Sequence, residues 1–181
     1  MTYITPEQIR QDKSFFIDDR NINRLMDRPL LSYKVKSIKL GMILRTIAAT
    51  NIISTLENTR VYKFLKGDDK GKSAYRDYIR LCNNASFRSE SAYNSLIENF
   101  SNNDYDIKKG AIVLDQYNLL LDGQHRACIL LKKYGRNYKV DVVQFEYAEN
   151  KTGLRALRKI MKIKVANLRA LLLCCLGVNP A

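Results

Sequence analysis

The amino-acid sequence predicts an α+β fold, in which a small mixed sheet packs with helices. The first observation is the order of local patterns between Ser91 and Tyr147, which is helix, strand, strand, helix, strand. The second is the composition, because 46% hydrophobic and 27% charged residues are typical of a globular protein. The third is the length of 181 residues, which suits one domain of ordinary size or a domain with an appendage.

The elements of this core follow from local signals. Ser89 can cap a helix that turns four side chains inward, namely Tyr93, Leu96, Ile97 and Phe100. Two apolar runs within residues 111–121 are separated by a short polar turn and predict a hairpin. A helix is expected to follow Gly123 and to end at Gly135, which suits a C-terminal cap. Residues 140–147 alternate apolar and polar, which predicts a strand with one buried face.

Composition divides the chain into three expected units. Residues 1–87 are interpreted as a basic, mostly helical extension, and residues 88–150 as the α+β core. Residues 151–181 are interpreted as a basic amphipathic helix.

Within the extension, Thr5 and Pro6 suit the cap and first position of a helix. Residues 32–55 place apolar side chains at roughly helical spacing and predict a helix, either packed on the domain or lying on a membrane surface. Residues 62–72 contain two glycines and predict a loop, and residues 73–81 predict a further helix.

The formal net charge of +13 is unevenly distributed. Residues 1–80 carry 16 basic and 9 acidic side chains, whereas residues 81–150 carry 8 basic and 9 acidic ones. Residues 151–181 carry 7 basic and no acidic side chains. Basic flanks around a neutral centre favour an anionic partner, such as nucleic acid or a membrane surface.

The last segment, residues 151–175, predicts an amphipathic helix. Six apolar side chains share one side at about 100° per residue, namely Leu154, Leu157, Met161, Val165, Leu168 and Leu172. Three interpretations stay open: docking on the domain, lying on an anionic membrane, or contacting the backbone of nucleic acid. Nucleic acid is the least favoured partner, because no aromatic residue lies among the basic residues of this segment.

The sequence contains no apolar run long enough to span a membrane and no secretory signal pattern near its start. Its four cysteines lack metal-ligand spacing, and there is one histidine, so no metal-ligating residues are assigned. We therefore expect a cytoplasmic protein with reduced thiols, peripheral at the inner face of the membrane if the last helix meets lipid.

The stretch Leu121-Asp122-Gly123-Gln124-His125-Arg126 carries the candidate chemistry. A strand that ends at a glycine and opens into a helix presents unpaired backbone N–H groups at the positive end of the helix dipole. This geometry suits phosphate, and the His125 and Arg126 side chains add donors at the same point. The alternative is an ordinary glycine turn with a solvated first helical turn.

The combination of this stretch with its neighbours, over residues 108–114, 119–126, 127–135 and 139–143, resembles the ParB/sulfiredoxin fold. In that superfamily a strand ends in a Gly-X-(His or Arg)-Arg box, which opens a helix and binds nucleotide phosphates. The resemblance covers about residues 88–147. The sequence of residues 106–110 followed by residues 121–128 is also similar to small ParB-like proteins encoded among bacterial surface-polysaccharide genes.

The resemblance implies roles residue by residue. Gly123 and Arg126 match the glycine and final arginine of the box, and His125 matches the histidine of sulfiredoxins. Gln124 departs from it, because sulfiredoxins carry their catalytic cysteine there and glutamine cannot form sulfur-centred intermediates. Cys128 is expected to face the core and not to replace that cysteine. Partition-type ParB proteins carry glutamate at this position and continue into a helix-turn-helix domain, for which too few residues follow Tyr147.

Asp122 beside the box resembles the Asp-Gly-His-His-Arg arrangement of free-serine kinases on this fold. The implied function is binding of ATP or another nucleotide, with or without Mg²⁺, by Gly123, Gln124, His125 and Arg126. If the protein is a phosphotransferase acting on a small hydroxyl compound, Asp122 and His125 are its expected catalytic residues. If Asp122 only caps the helix, a non-catalytic protein that docks on DNA or an anionic membrane is the alternative.

An enzyme of this kind also needs a second carboxylate. Asp104, Asp106 and Asp115 are the available residues, and the sequence does not choose among them.

Overall fold

The computed structural model describes residues 2–47, 52–67, 69–81, 89–148 and 154–176. The helices of this part of the chain are α1 Pro6–Gln11, α2 Asp19–Leu25, α3 Arg60–Lys66, α4 Asp69–Leu81, α5 Glu90–Asn102, α6 Gln124–Tyr134 and α7 Leu154–Leu176. The strands are β1 Leu30–Lys39, β2 Leu44–Ile47, β3 Ile52–Thr55, β4 Val113–Asp115, β5 Leu120–Asp122 and β6 Lys139–Tyr147. Single 3₁₀ turns cover Leu40–Met42 and Leu56–Asn58.

Four of the described strands form a mixed sheet in the order β1-β6-β4-β5. β6 is antiparallel to β1 and parallel to β4, and β4 and β5 form the antiparallel hairpin. β2 and β3 form a separate antiparallel pair. The predicted α+β class and the mixed sheet are confirmed, whereas the assignment to the ParB/sulfiredoxin fold stays a prediction.

Both faces of the sheet are covered. Alternate side chains of β4 and β6, such as Leu114 and Val142, pack into a core with α3 to α6. Their neighbours, such as Val113 and Val143, face the opposite way and pack into a second core with α1 and α2. β6 therefore has two buried faces in its middle instead of the one expected, because helices lie on both sides of it.

The predicted helix over residues 32–55 is wrong. Residues 30–39 form β1, which pairs with β6 from Leu30↔Tyr147 to Lys39↔Lys139. The three-residue spacing of apolar residues such as Val35 and Ile38 matches that of a helix, and this match misled the prediction. The conformation is decided instead by hydrogen bonds to β6, a strand about a hundred residues further along the chain. Residues 48–51 lie outside the described part.

Because β1 joins the central sheet, residues 1–87 are not mostly a helical extension. The division at residues 87 and 150 itself stays a prediction. β1 is an edge strand of this sheet. Its lysines suit this position, because charged side chains discourage pairing with another chain.

The predicted loop over residues 62–72 is also wrong for most of its length. α3 continues to Lys66, because Thr59 caps its start and Val61 and Leu65 bury on the core. Gly67 ends the helix in the left-handed conformation, with φ 83°. α4 then begins at Asp69, earlier than the predicted start at residue 73.

The other local predictions on described residues are confirmed. Thr5 forms a capping box with Gln8 at the start of α1, and Ser89 accepts the N–H of Ala92 at the start of α5. The 111–121 hairpin, α6 with its cap at Gly135, and β6 follow in the expected order. The polar composition of residues 83–90 predicts a connection before α5, but most of these residues lie outside the described part.

α7 forms as predicted and docks on the domain, but through a different side from the one expected. Among residues 161–175, the buried side chains lie on the side of the helix opposite the exposed Leu168 and Leu172, and most of them are small: Ile163, Ala166, Ala170 and Cys174. Small side chains let the helix approach closely: a Cβ on Gly41 would lie 2.6 Å from Cys174 Sγ. Of the six side chains predicted to share the apolar side, Met161, Val165, Leu168 and Leu172 are exposed, and Leu154 and Leu157 lie outside the described side chains.

No helix among the described residues is long and apolar enough to cross a membrane.

A buried ion pair joins the end of α6 to the turn after β3. Arg136 Nη1 donates to Glu57 Oε1, and the two side chains are only 5% and 9% exposed. Arg136 Nη2 also donates to the carbonyl oxygen of Gly41 at 3.3 Å. This pair links α6 to the 3₁₀ turns against which α3 and α7 pack.

We predict that Arg136→Leu lowers the free energy of unfolding by about 3–5 kcal/mol, because it leaves the Glu57 carboxylate buried without its cation. The double variant Glu57→Leu with Arg136→Leu should cost less than the single change. Denaturant unfolding measures both values. A single change that costs no more than the double one would contradict this account.

Candidate functional site

The candidate site lies where β5 passes into α6. Gly123 is the N-cap of α6 and has φ 81° and ψ 23°, the left-handed conformation that favours glycine. A Cβ at Gly123 would lie 2.9 Å from the carbonyl oxygen of Ala111 and 2.9 Å from Ile112 Cα. The turn is thus pressed against the backbone that leads into β4, and this contact holds the start of α6 at a set position on the sheet.

The first turn of α6 consists of Gln124, His125 and Arg126. Since the N-cap is a glycine, it has no side chain that could accept a hydrogen bond from this turn. The first regular bond runs from the N–H of Ala127 to the carbonyl oxygen of Gly123, at 3.0 Å. The backbone N–H groups and the helix dipole therefore make this junction chemically suited to an anion.

The Arg126 side chain lies over Gly110. The guanidinium is so close that a Cβ on Gly110 would be 2.6 Å from its Cζ, and Nη1 lies 3.5 Å from the carbonyl oxygen of Ala111. The pKa of Asp18 is lowered, chiefly by hydrogen bonds from the side chain and the backbone of Arg20, and in smaller part by the charge on Arg126. The segment before α2 also contacts this region, because the N–H of Ala111 donates to the carbonyl oxygen of Phe16 at 2.8 Å.

Asp122, the last residue of β5, is held by α2. Asn21 Nδ2 donates to Asp122 Oδ2 at 3.2 Å, and Arg24 Nη2 lies 3.6 Å from Asp122 Oδ1. Arg24 Nη2 also lies 3.3 Å from the carbonyl oxygen of Leu121, to which it donates. The carboxylate thus has a fixed orientation and a cation beside it.

Sequence reasoning missed Asn21 and Arg24 as parts of this site. The available signal was the dense charge of the first 29 residues, but no local pattern connects it to a position about a hundred residues away. A second arginine was also missed: Arg45 of β2 donates from Nη1 to the carbonyl oxygen of Leu120, the first residue of β5, at 2.7 Å. Arg24 and Arg45 therefore donate to the backbone of β5 at two neighbouring residues.

The His125 ring lies in a cluster of aromatic side chains, away from the residues that Arg126 contacts. Its Nε2 is hydrogen-bonded to the hydroxyl of Tyr75 at 2.9 Å, with the donor depending on the tautomer. Tyr93 meets the imidazole edge to face, with ring centroids 4.6 Å apart. Burial raises the pKa of Tyr93 far above its ordinary value, so this phenol is neutral.

The five expected site residues, from Asp122 to Arg126, are consecutive, but their side chains contact different neighbours. Asp122 contacts α2, Arg126 contacts residues 110–111, and His125 contacts α4 and α5. Gln124 is half-buried at the first helical position. The expected binding and catalytic roles of these residues stay predictions.

Cys128 faces the core, as expected. Its side chain is fully buried, and its Sγ lies 3.5 Å from the Thr59 hydroxyl oxygen. Burial raises the pKa of this thiol to about 12, so it carries no thiolate at neutral pH. A nucleophilic role for Cys128 is therefore disfavoured on chemical grounds.

The three aspartates considered as a second carboxylate each have a structural partner. Asp115 is buried and accepts the N–H groups of Tyr117 and Leu119 within the hairpin turn. Asp104 accepts the Tyr134 hydroxyl, and Asp106 accepts the N–H of Lys108. Over the described ranges, no group of three or more His, Cys, Asp or Glu side chains could hold a metal ion.

Comparison of the chain with protein-family models, curated proteins and solved structures gave no match.

We predict that Gly123→Ala destabilises the protein more than Gly67→Ala. Both glycines have a left-handed backbone, which costs an alanine about 1 kcal/mol, but a Cβ at Gly67 would meet nothing within 4 Å. The Gly123 variant must also push away the backbone of residues 111–112. Denaturant unfolding of the two variants measures the difference, and equal losses would show that the close contact does not constrain the turn.

Proposed function

We propose that this protein binds a phosphate-bearing ligand, with a nucleotide as the leading candidate, at the junction of β5 and α6. The observation that carries the proposal is the start of α6. There, a left-handed glycine without a capping side chain precedes a turn that bears Arg126. The phosphates would accept hydrogen bonds from the N–H groups of residues 124–126.

The surrounding charges support an anionic ligand. Arg126 and Arg24 flank the junction, and a guanidinium can donate two parallel hydrogen bonds to phosphate. Asp122 carries the opposing charge, but Arg24 lies beside its carboxylate and offsets that charge. A phosphate at the helix start would therefore meet a field in which cations outnumber carboxylates.

The choice of ATP or another nucleotide rests on the resemblance of residues 121–126 to the phosphate box of the ParB/sulfiredoxin fold. Mg²⁺ would arrive with the nucleotide phosphates. A link to surface-polysaccharide synthesis has the same basis. A cytoplasmic location rests instead on the sequence patterns described above, and both are part of the proposal.

A phosphotransferase version adds one role to this site. The Asp122 carboxylate, oriented by Asn21 and Arg24, would accept a proton from the hydroxyl of a small substrate as the phosphoryl group is transferred. His125 would be the second catalytic residue, and its hydrogen bond between Nε2 and the Tyr75 hydroxyl would hold the imidazole ring in place. The non-catalytic alternative, docking on DNA or an anionic membrane, depends on the basic flanks and not on this site.

We predict that Arg126→Ala weakens nucleotide binding at least about tenfold, because one good charge-assisted contact contributes about 1.5–3 kcal/mol. Isothermal titration with ATP, ADP and CTP, with and without Mg²⁺, measures the affinity. Arg126→Lys keeps the charge and should lose less, and Arg80→Ala, at an exposed arginine of α4, should change nothing.

The proposal fails if none of the three nucleotides binds below millimolar concentration. It also fails if the double variant His125→Ala with Arg126→Ala binds as the unmodified protein does. The unfolding transition of each variant, measured in parallel, separates a lost contact from a lost fold.

For Asp122→Asn we predict tighter binding of ATP in the absence of Mg²⁺, because a negative charge beside the phosphates is removed. Asparagine can still bond to Asn21, so the turn should keep its shape. Nucleotide turnover that rises with one added hydroxyl compound and disappears in Asp122→Asn would establish the phosphotransferase version. Turnover that survives in Asp122→Asn would exclude this aspartate as the catalytic base.

A further inference from the structure

Over the described side chains, residues 161–175, α7 buries one side on the domain and leaves its most apolar side uncovered. The docked side consists of Ile163, Ala166, Ala170 and Cys174, which pack beside Leu44, Leu119 and the 3₁₀ turn at Gly41. At about 100° per residue, the positions diametrically opposite carry larger aliphatic side chains. Folding therefore buries the side of this helix that carries small residues and leaves the leucine side exposed to solvent.

We name the uncovered side the aliphatic stripe and define it as Met161, Val165, Leu168 and Leu172. Their exposed fractions are 61%, 47%, 59% and 52%. Single exposed leucines are ordinary on a protein surface, but four large aliphatic side chains at spacings of four, three and four form one continuous line.

The stripe continues onto a neighbouring strand. Met161 and Val165 also line a groove of about 520 Å³ between α7 and β3. Across it lies Ile52, which is 55% exposed. The apolar surface is therefore wider than one helix, and no acidic side chain lines the groove.

Cations border the stripe on both sides. Lys162 and Arg169 project from one edge of α7 and Lys164 from the other, as helical spacing requires. Residues 154–176 contain no aspartate or glutamate. The surface thus combines exposed aliphatic side chains with positive charge alone.

We propose that the aliphatic stripe docks on an anionic membrane surface, with α7 lying in the plane of the interface. Aliphatic side chains would enter the boundary of the acyl chains, and Lys162, Lys164 and Arg169 would contact the anionic headgroups. This proposal does not depend on the phosphate site at α6.

Charge argues against the other occupants. A second copy would set the stripes against each other and bring Lys162, Lys164 and Arg169 of both copies together without an acidic partner on either helix. Helices pair poorly when their flanking positions all carry one sign. Nucleic acid would neutralise the cations, but aliphatic side chains offer bases no stacking surface. An anionic bilayer offers acyl chains to the aliphatic side chains and negatively charged headgroups to the lysines and the arginine.

Flotation of the whole protein with vesicles of phosphatidylcholine, with and without phosphatidylglycerol, tests the proposal. We expect binding only to the vesicles that contain phosphatidylglycerol. The double variant Leu168→Gln with Leu172→Gln should lower that binding at least about tenfold, because two leucines no longer enter the lipid. Tyr3→Gln with Phe16→Gln removes two exposed aromatic side chains elsewhere and should leave it unchanged.

A matched pair of charge variants separates specific contacts from net charge. Lys162→Gln with Lys164→Gln should weaken binding clearly more than Lys13→Gln with Lys34→Gln, although both remove two exposed lysines. Added salt should weaken the binding of the unmodified protein. All substituted side chains are exposed, and circular dichroism of each variant checks that it is folded.

Three results would overturn the proposal. The first is the absence of binding to anionic vesicles, and the second is binding that both the leucine and the lysine variants retain. The third is a stable dimer, seen by light scattering, that Leu168→Gln with Leu172→Gln turns into a monomer, since the stripe would then be a contact between copies. If the first result is found and the lysine variant also weakens binding of duplex DNA, α7 is assigned to nucleic acid.

Discussion

The pairing of β6 with strands on both of its edges is the constraint on which the rest of the structure depends. β6 pairs antiparallel with β1 over almost its whole length and parallel with β4 on its other edge. Its alternate side chains enter two separate cores, one with α3 to α6 and one with α1 and α2. One strand therefore holds the N-terminal helices and the β5–α6 junction on the same sheet.

This arrangement explains the composition of the candidate site. The N-terminal core places α2 beside the end of β5, so Asn21 and Arg24 reach an aspartate about a hundred residues further along the chain. The other core holds the His125 ring between Tyr75 and Tyr93. Between them, Gly123 fits closely against the backbone before β4. The start of α6 is positioned from both faces of the sheet, which is the preorganisation that binding an anion requires.

The two basic regions have different structural fates. The lysines of β1 lie on an edge strand, where they protect the sheet, whereas those of α7 border an uncovered apolar stripe. The exposure of the leucines of α7 follows from the small size of the side chains through which this helix docks. Ala166 and Ala170 let α7 sit close to the domain, and the close approach turns the leucines to the outside. A phosphate site and a lipid-facing helix would thus occupy separate parts of one small protein.

Local patterns were sufficient for residues 89–147, where helix caps, the hairpin turn and the Asp122-Gly123 break lie within a few residues of what they control. They also located the start of α6. Only the tertiary structure decided that residues 30–39 form a strand, that α2 contributes to the site, and which side of α7 is buried. The physical reason is range: caps and turns act between near neighbours, whereas strand pairing and helix docking depend on surfaces that distant segments supply.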